Sequence, residues 1–225
     1  MKTILAFLTQ IAENNYKTYF DAHKAEYIAA TNTFNAFVEK LILGISAFDP
    51  SIKGLTVKDC TYRFYRDIRF SPNKIPYKTH FGAYICPFGK KSGYAGYYFH
   101  IEPKGYDFIG ENILATGLHS PQPEVLKSVR EDIFLNGETF EETVREAKSF
   151  VLEDDQALKK VPKGYPADFK YAGYLKMKNH TLYKSFDNDL LLSDDLLEKT
   201  LAAYKETVSF NTWLNKAVKY ALENK

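Results

Sequence analysis

The stretch FGAYICPFGKKSGYAGYYFHIE, residues 81–102, decides the fold because it predicts two antiparallel strands joined by a short turn. In its last part the side chains alternate, with Tyr97, Phe99 and Ile101 on one face and more polar side chains on the other. The connecting segment GKKSG, residues 89–93, has the composition of a turn. A hairpin of this kind indicates an antiparallel sheet.

Helical patterns lie on both sides of this hairpin. Apolar spacing predicts three helices within residues 1–50, helices that begin near 121 and 139, and two more at 193–204 and 211–222. Further strands are expected at 107–115 and 180–186. Runs of helices around a run of strands favour an α+β fold, with a mostly antiparallel central sheet flanked by N-terminal and C-terminal helices. We expect all 225 residues to form a single domain.

Residues 62–70, just before the hairpin, also alternate in polarity and predict another strand. This register places Arg66 among the apolar side chains of the strand. An unpaired buried guanidinium is costly, so we expect either a bulge that turns Arg66 outward or a carboxylate that pairs with it.

Residues 60–91 carry seven basic residues and one acid, a net charge of +6. Arginine binds carboxylates and phosphates through two parallel hydrogen bonds, and Pro72 and Pro76 stiffen the segment. One interpretation is a loop whose cations bind a small anionic ligand. The other is an internal network in which Asp67 neutralises the arginines. The candidate ligand-binding residues are Arg66, Asp67, Arg69, Lys74, Tyr77 and Lys78.

A second cluster follows from the alternation at the end of the hairpin, which places Tyr98, His100 and Glu102 on one face. A carboxylate fixes the tautomer of a neighbouring imidazole and raises its basicity, so His100 and Glu102 are the candidate catalytic pair. The alternative is a polar strand face in contact with water. If this strand pairs beside residues 63–70, Glu102 would instead neutralise an arginine there and join both clusters into one site.

The run RDIRFSPNKIPYKTHFGAYI, residues 66–85, resembles the hallmark of the domain of unknown function 2461 family, a group of uncharacterised bacterial and fungal proteins. Agreement extends to GYYFHI at 96–101, PEVL at 123–126 and PKGY at 162–165, and so spans most of the chain. This family has no established activity, cofactor or catalytic residue, so the resemblance carries over no functional residue.

Several protein classes are disfavoured by what the sequence lacks. It has no Walker-type phosphate loop, no dinucleotide fingerprint, no HExxH and no GxSxG, so no cofactor is assigned. Its histidines and two cysteines lack metal-ligand spacing, so no metal site is predicted. No stretch approaches the ~20 apolar residues that span a membrane, and two cysteines outside any CxxC pair suit a reducing compartment. We therefore expect a cytoplasmic protein with no membrane partner.

Three functions of different classes remain. The first is a binding or enzymatic site for a small phosphate- or carboxylate-bearing ligand, where residues 66–78, the basic segment, meet the strand that carries His100. The second is a structural or protein-interaction module without catalytic activity. The third is nucleic-acid binding, against which the modest pI of about 8.3 argues. The sequence leaves open whether the chain is an enzyme, and also its oligomeric state.

Overall fold

The computed structural model describes residues 1–105, 108–154 and 156–224 and has an α+β fold. Five strands form one antiparallel sheet in the order β1-β2-β3-β5-β4. The strands are Phe81–Ile85 (β1), Gly96–Ile101 (β2), Asn112–Leu118 (β3), Val151–Leu152 (β4) and His180–Phe186 (β5). The hairpin predicted at 81–102 therefore forms, and it lies at one edge of the sheet. The strand expected at 107–115 begins only at Asn112, and Asp107 lies outside the described residues.

Helices precede the sheet, follow it and connect its strands. They are Lys2–Glu13 (α1), Lys17–Ala22 (α2), Lys24–Ser46 (α3), Val57–Cys60 (α4), Pro123–Glu146 (α5), Ala172–Lys176 (α6), Asn188–Leu192 (α7), Leu196–Lys205 (α8) and Val208–Glu223 (α9). The two helices expected near 121 and 139 are the two halves of α5, which breaks at Asn136 (φ −132°, ψ 35°).

One face of the sheet is apolar and packs against the helices. Tyr97 and Phe99 of β2 are fully buried, and the rings of Phe34 and Phe37 in α3 have centroids 6.4 and 4.9 Å from that of Phe99. Each buried aromatic side chain of this size contributes about 1.5–3 kcal/mol. This packing fixes which residues of β2 face the helices, and so it places Tyr98 and His100 on the opposite face.

The prediction of a strand at 62–70 is wrong. Within these residues Phe64 is buried, but Phe70, expected on the same face, is 94% exposed. The alternation therefore does not mark a half-buried strand. Within this segment the bridge pairing is limited to Tyr65 with Tyr77, and a second isolated bridge, Thr61 with Ala83, lies just before it.

The segment forms a closed loop because its backbone pairs with itself. The amide of Arg66 donates to the carbonyl of Pro76 (2.9 Å), and the amide of Lys78 donates to the carbonyl of Phe64 (3.1 Å). Pro72 and Pro76 have no N–H group with which to extend a ladder. The chain thus reverses direction and residues 64–66 pair with residues 76–78, in place of the longer strand that the side-chain pattern suggested.

Candidate functional site

Tyr98, His100 and Glu102 form a line of hydrogen bonds on the sheet face opposite Tyr97 and Phe99. The Tyr98 hydroxyl lies 2.9 Å from Nδ1 of His100, and Nε2 of His100 lies 3.2 Å from Oε2 of Glu102. His100 is 0% exposed and Glu102, which directly follows β2, is 1% exposed. The structure thus brings together the three residues that the alternation placed on one face.

Glu102 accepts five hydrogen bonds, and these hold its carboxylate in place. Burial alone would raise the pKa of Glu102, but the hydrogen bonds outweigh it and lower the pKa to about 2. No arginine contacts Glu102 among the described residues. The expected ion pair between Glu102 and an arginine of residues 63–70 is therefore absent there, and hydrogen-bond donors hold the carboxylate instead. The donors are Thr79 Oγ1 (2.9 Å), His100 Nε2 (3.2 Å) and the backbone amides of Phe108 (3.1 Å), Ile109 (2.8 Å) and Gly110 (2.9 Å).

The charge on Glu102 determines where the protons of His100 lie. Because Glu102 is a carboxylate at neutral pH, Nε2 of His100 donates to it. In the neutral imidazole the other nitrogen then accepts, so the Tyr98 hydroxyl donates to Nδ1. Burial raises the pKa of Tyr98, and its hydroxyl therefore keeps its proton. We call this chain of hydrogen bonds, from Tyr98 through His100 to Glu102, the relay.

Gly82 of β1 makes room for this relay. It pairs with His100 in the sheet register, so a side chain there would point to the same face. A Cβ at Gly82 would stand 2.6 Å from the Tyr98 hydroxyl oxygen, closer than real Cβ contacts come. The missing side chain thus lets the Tyr98 hydroxyl reach His100.

His80 is a residue of this site that the sequence did not indicate. It lies just before β1, and its ring centroid is 4.7 Å from that of His100 and 4.6 Å from that of Phe108. Its Nδ1 is buried and has no hydrogen-bond partner among the described residues. Burial, followed by the neighbouring His100 and Lys78, lowers the pKa of His80 to about 3, so the ring is neutral at pH 7. The sequence could have pointed to His80 in one way only, because His80 directly precedes the first strand of the predicted hairpin.

Two cations of the basic segment act on this cluster through their charge. Lys78 and Arg66 both lower the pKa of His80, after the larger effects of burial and of His100. Arg66 is half-buried, and its guanidinium makes no ion pair or hydrogen bond within the described residues. Lys78 is also half-buried, and its pKa is lowered by burial and then by the charge of Arg63. Within the described residues, Arg66 has neither of the two features expected for it, a β-bulge that turns it outward or a carboxylate partner.

Three other candidates of the basic segment bond to one another or to nearby backbone. Arg69 binds Asp67 through two parallel hydrogen bonds of 2.9 and 2.7 Å, and both side chains are exposed. Lys74 donates to the carbonyl of Ile68 at 3.0 Å. These contacts close the loop on itself, and none of them reaches His100 within the residues described.

Tyr77 is a packing residue. Its ring stacks on that of Phe20 in α2, with centroids 4.2 Å apart, and it is 4% exposed. The side chain of Asn15 donates to its carbonyl and accepts from its amide, both at 3.0 Å. Tyr77 thus anchors the end of the basic segment to the helical layer and fixes the position of Lys78 beside it.

A shallow concavity of about 430 Å³ lies at another place, between the start of α5 and the loop at 162–165. The guanidinium of Arg130 on its wall is held by two backbone carbonyls. Its lining does not include the relay or His80. The basic and aromatic residues that line it are Lys127, Arg130, Lys163 and Tyr165.

Comparison with known proteins adds a family and nothing more specific. Searches of curated proteins and of solved structures found no match to the chain. Among the helices described, none is both long enough and apolar enough to cross a bilayer. A family model described as "Conserved hypothetical protein (DUF2461)" matches residues 3–213. The match covers nearly the whole chain, and it agrees with the resemblance of residues 66–85, so the protein belongs to the DUF2461 family.

Proposed function

We propose that the protein binds a small anionic ligand, bearing a phosphate or carboxylate group, beside His80 and His100. The observation that carries this proposal is the state of Arg66, a half-buried guanidinium with no acidic partner among the described residues. Such a charge is costly to hold unless something neutralises it, and a bound anion would do so. Lys78 is a second cation whose charge acts on His80.

The relay beside these cations supports an enzymatic role for the site. His100 and Glu102 have the arrangement of an acid–base pair, because the carboxylate holds the imidazole in one tautomer. Tyr98 donates a hydrogen bond to Nδ1 of His100 and so helps to orient its ring. An anion bound by Arg66 and Lys78 would place its reacting atoms next to this relay, with His80 neutral at its side.

The alternative of a purely structural module requires the arginines to be paired with internal carboxylates. Arg69 does have a partner, but Asp67 is itself exposed, so that pair is on the surface. Arg66, the more buried of the two arginines, has no such partner in the described residues. This difference favours a ligand site.

We also place the protein in the cytoplasm, where a reducing environment would keep the buried thiols of Cys60 and Cys86 free.

Thermal unfolding in the presence of anions tests the proposal. Inorganic phosphate and small carboxylates should raise the Tm of the wild type by about 5–10 °C at 100 times the Kd, in buffers matched for ionic strength with NaCl. Arg66→Ala should lose this response. Arg69→Ala is the matched control, since it removes an exposed arginine of the same loop and should respond as the wild type does.

The proposal fails if none of these anions stabilises the wild type beyond the NaCl control. It also fails if Arg66→Ala and Arg69→Ala respond equally, because the anion would then be bound by the general positive charge of the loop.

A further inference from the structure

We propose that His80, His100 and Glu102 bind a divalent transition metal ion of the zinc class. Each of the three side chains offers one ligand atom, and these atoms lie within 4.8 Å of one another. Two imidazoles and one carboxylate are a ligand set that Zn²⁺ and related ions accept, with further positions left for water or substrate. The inference uses the site of the proposed function and rests on that function only for the anion that completes the metal's coordination.

The spacing of the relay suits a shared metal ion as well as a shared proton. Ligands bound at about 2.0–2.2 Å stand roughly 3.3–3.6 Å apart at a tetrahedral angle and roughly 2.8–3.1 Å apart at a right angle. The observed distance between His100 Nε2 and Glu102 Oε2 is 3.2 Å, between these two ranges. A rotation of the His80 ring that moves its ligand atom by roughly 1–2 Å would complete the set.

His80 itself gives an independent reason to expect a ligand. Its Nδ1 is buried and lacks a hydrogen-bond partner within the described residues. A buried imidazole nitrogen without a partner is unfavourable, and a metal ion would supply the missing contact. The ring lies beside those of His100 and Phe108, and its ligand atom is within 4.8 Å of the other two, so a short movement would be enough to make such a contact.

Groups around the three side chains can support a bound metal. When Nε2 of His100 binds a metal, its proton must be carried by Nδ1 instead. The Tyr98 hydroxyl can then accept from Nδ1, because a hydroxyl is both donor and acceptor. The carboxylate of Glu102 stays oriented by Thr79 and by three backbone amides. Tyr98 is therefore a positioning residue for the metal ligand.

The charge balance links the metal to an anion. Arg66 and Lys78 would repel a bare cation, and Glu102 offers one negative charge against them. An anion that bridges the metal and Arg66 removes this repulsion. Metal and anion should therefore strengthen each other's binding, by the same factor in each direction.

Metal titration of tag-free protein, stripped with EDTA and freed of the chelator, tests the inference. We expect one equivalent of Zn²⁺ in competition with a chromophoric chelator, and a 1:1 visible absorption band with Co²⁺. His80→Ala should weaken binding at least about tenfold, and Tyr98→Phe by about 10–100-fold, since it removes only the hydroxyl that supports His100. His119→Ala is the matched control, because His119 is exposed and lies outside the cluster.

The outcomes separate this inference from the proposed function. Absence of stoichiometric Zn²⁺ binding by the wild type, or equal affinity of His80→Ala and His119→Ala, overturns the metal site. Phosphate stabilisation measured in EDTA reports on the anion site alone, so it can persist when the metal site is refuted. If Zn²⁺ binds and phosphate leaves its affinity unchanged, the metal site stands but the bridging anion is wrong.

Discussion

Replacement of Glu102 by Gln is the sharpest test of the buried relay. The substitution keeps the shape of the side chain and removes its charge. It also puts an NH₂ group where an oxygen now accepts from backbone amides or from the hydroxyl of Thr79. A donor would then face donors, at a position that is 1% exposed to solvent.

The magnitude follows from the pKa of Glu102, which folding lowers from its ordinary value of 4.5 to about 2. Such a shift contributes about 3 kcal/mol to the free energy of unfolding at pH 7. Because the pKa is lowered in the folded state, this contribution is complete above pH 4.5 and is lost as the pH falls through the folded pKa. At pH 3 about 1–1.5 kcal/mol should remain. We expect the variant to be less stable than the wild type by about 3–5 kcal/mol at pH 7, with a gap about 2 kcal/mol smaller at pH 3.

Urea unfolding at both pH values measures this difference. Glu223→Gln is the matched control, because Glu223 is 63% exposed and pairs only loosely with Lys219 at 3.8 Å. It should change the free energy of unfolding by less than about 0.5 kcal/mol. A cost below about 1 kcal/mol for Glu102→Gln at pH 7, or a gap that does not shrink at pH 3, would show that the carboxylate is not the hydrogen-bonded anion described here.

Three further substitutions test other parts of the fold. Gly82→Ala should cost about 1 kcal/mol in urea unfolding and alter the NMR signals of the His100 ring, because the new Cβ displaces the Tyr98 hydroxyl; unchanged ring signals would contradict this. His180 is fully buried, and burial lowers its pKa to about 4, only partly offset by the nearby backbone of Tyr174. The stability that comes from keeping this ring neutral is complete above pH 6.5 and declines toward pH 4. When the pH falls from 6.5 to 5, the free energy of unfolding of His180→Leu should therefore drop by about 2 kcal/mol less than that of the wild type. Equal drops would refute a buried neutral ring. Asn15→Ala should cost about 1–3 kcal/mol, since it removes both hydrogen bonds to the backbone of Tyr77; an unchanged urea midpoint would contradict that role.

The relay was accessible from the sequence because it depends on geometry within a single strand. Side chains two residues apart lie on one face of any strand, so the order Tyr98, His100, Glu102 already implied that these groups are neighbours. The strand expected at 180–186 also has these bounds in the structure, where it is β5. What the rule could not supply is the identity of the five donors to Glu102, four of which come from other segments.

The parts that escaped prediction depend on long-range pairing. The alternation at 62–70 was misleading because the loop closes on Pro76 and Lys78, a contact that no local pattern records. His80 reaches His100 only because β1 pairs with β2 in a register that sets Gly82 opposite His100. Metal-ligand spacing along the chain is therefore a poor guide in this case, since the potential ligands lie in or next to two different strands.

The charges of the cluster determine which anion fits each of its two possible states. Glu102 offsets one of the two cations, Arg66 and Lys78, and the neutral His80 adds no charge, so these four groups carry a net charge of about +1. A singly charged carboxylate is then enough to balance the site. A divalent metal raises the net charge to about +3, which only a multiply charged group such as phosphate can approach. If the anion and the metal share one site, Zn²⁺ should increase the ratio of phosphate affinity to acetate affinity. A metal bound elsewhere would leave this ratio unchanged.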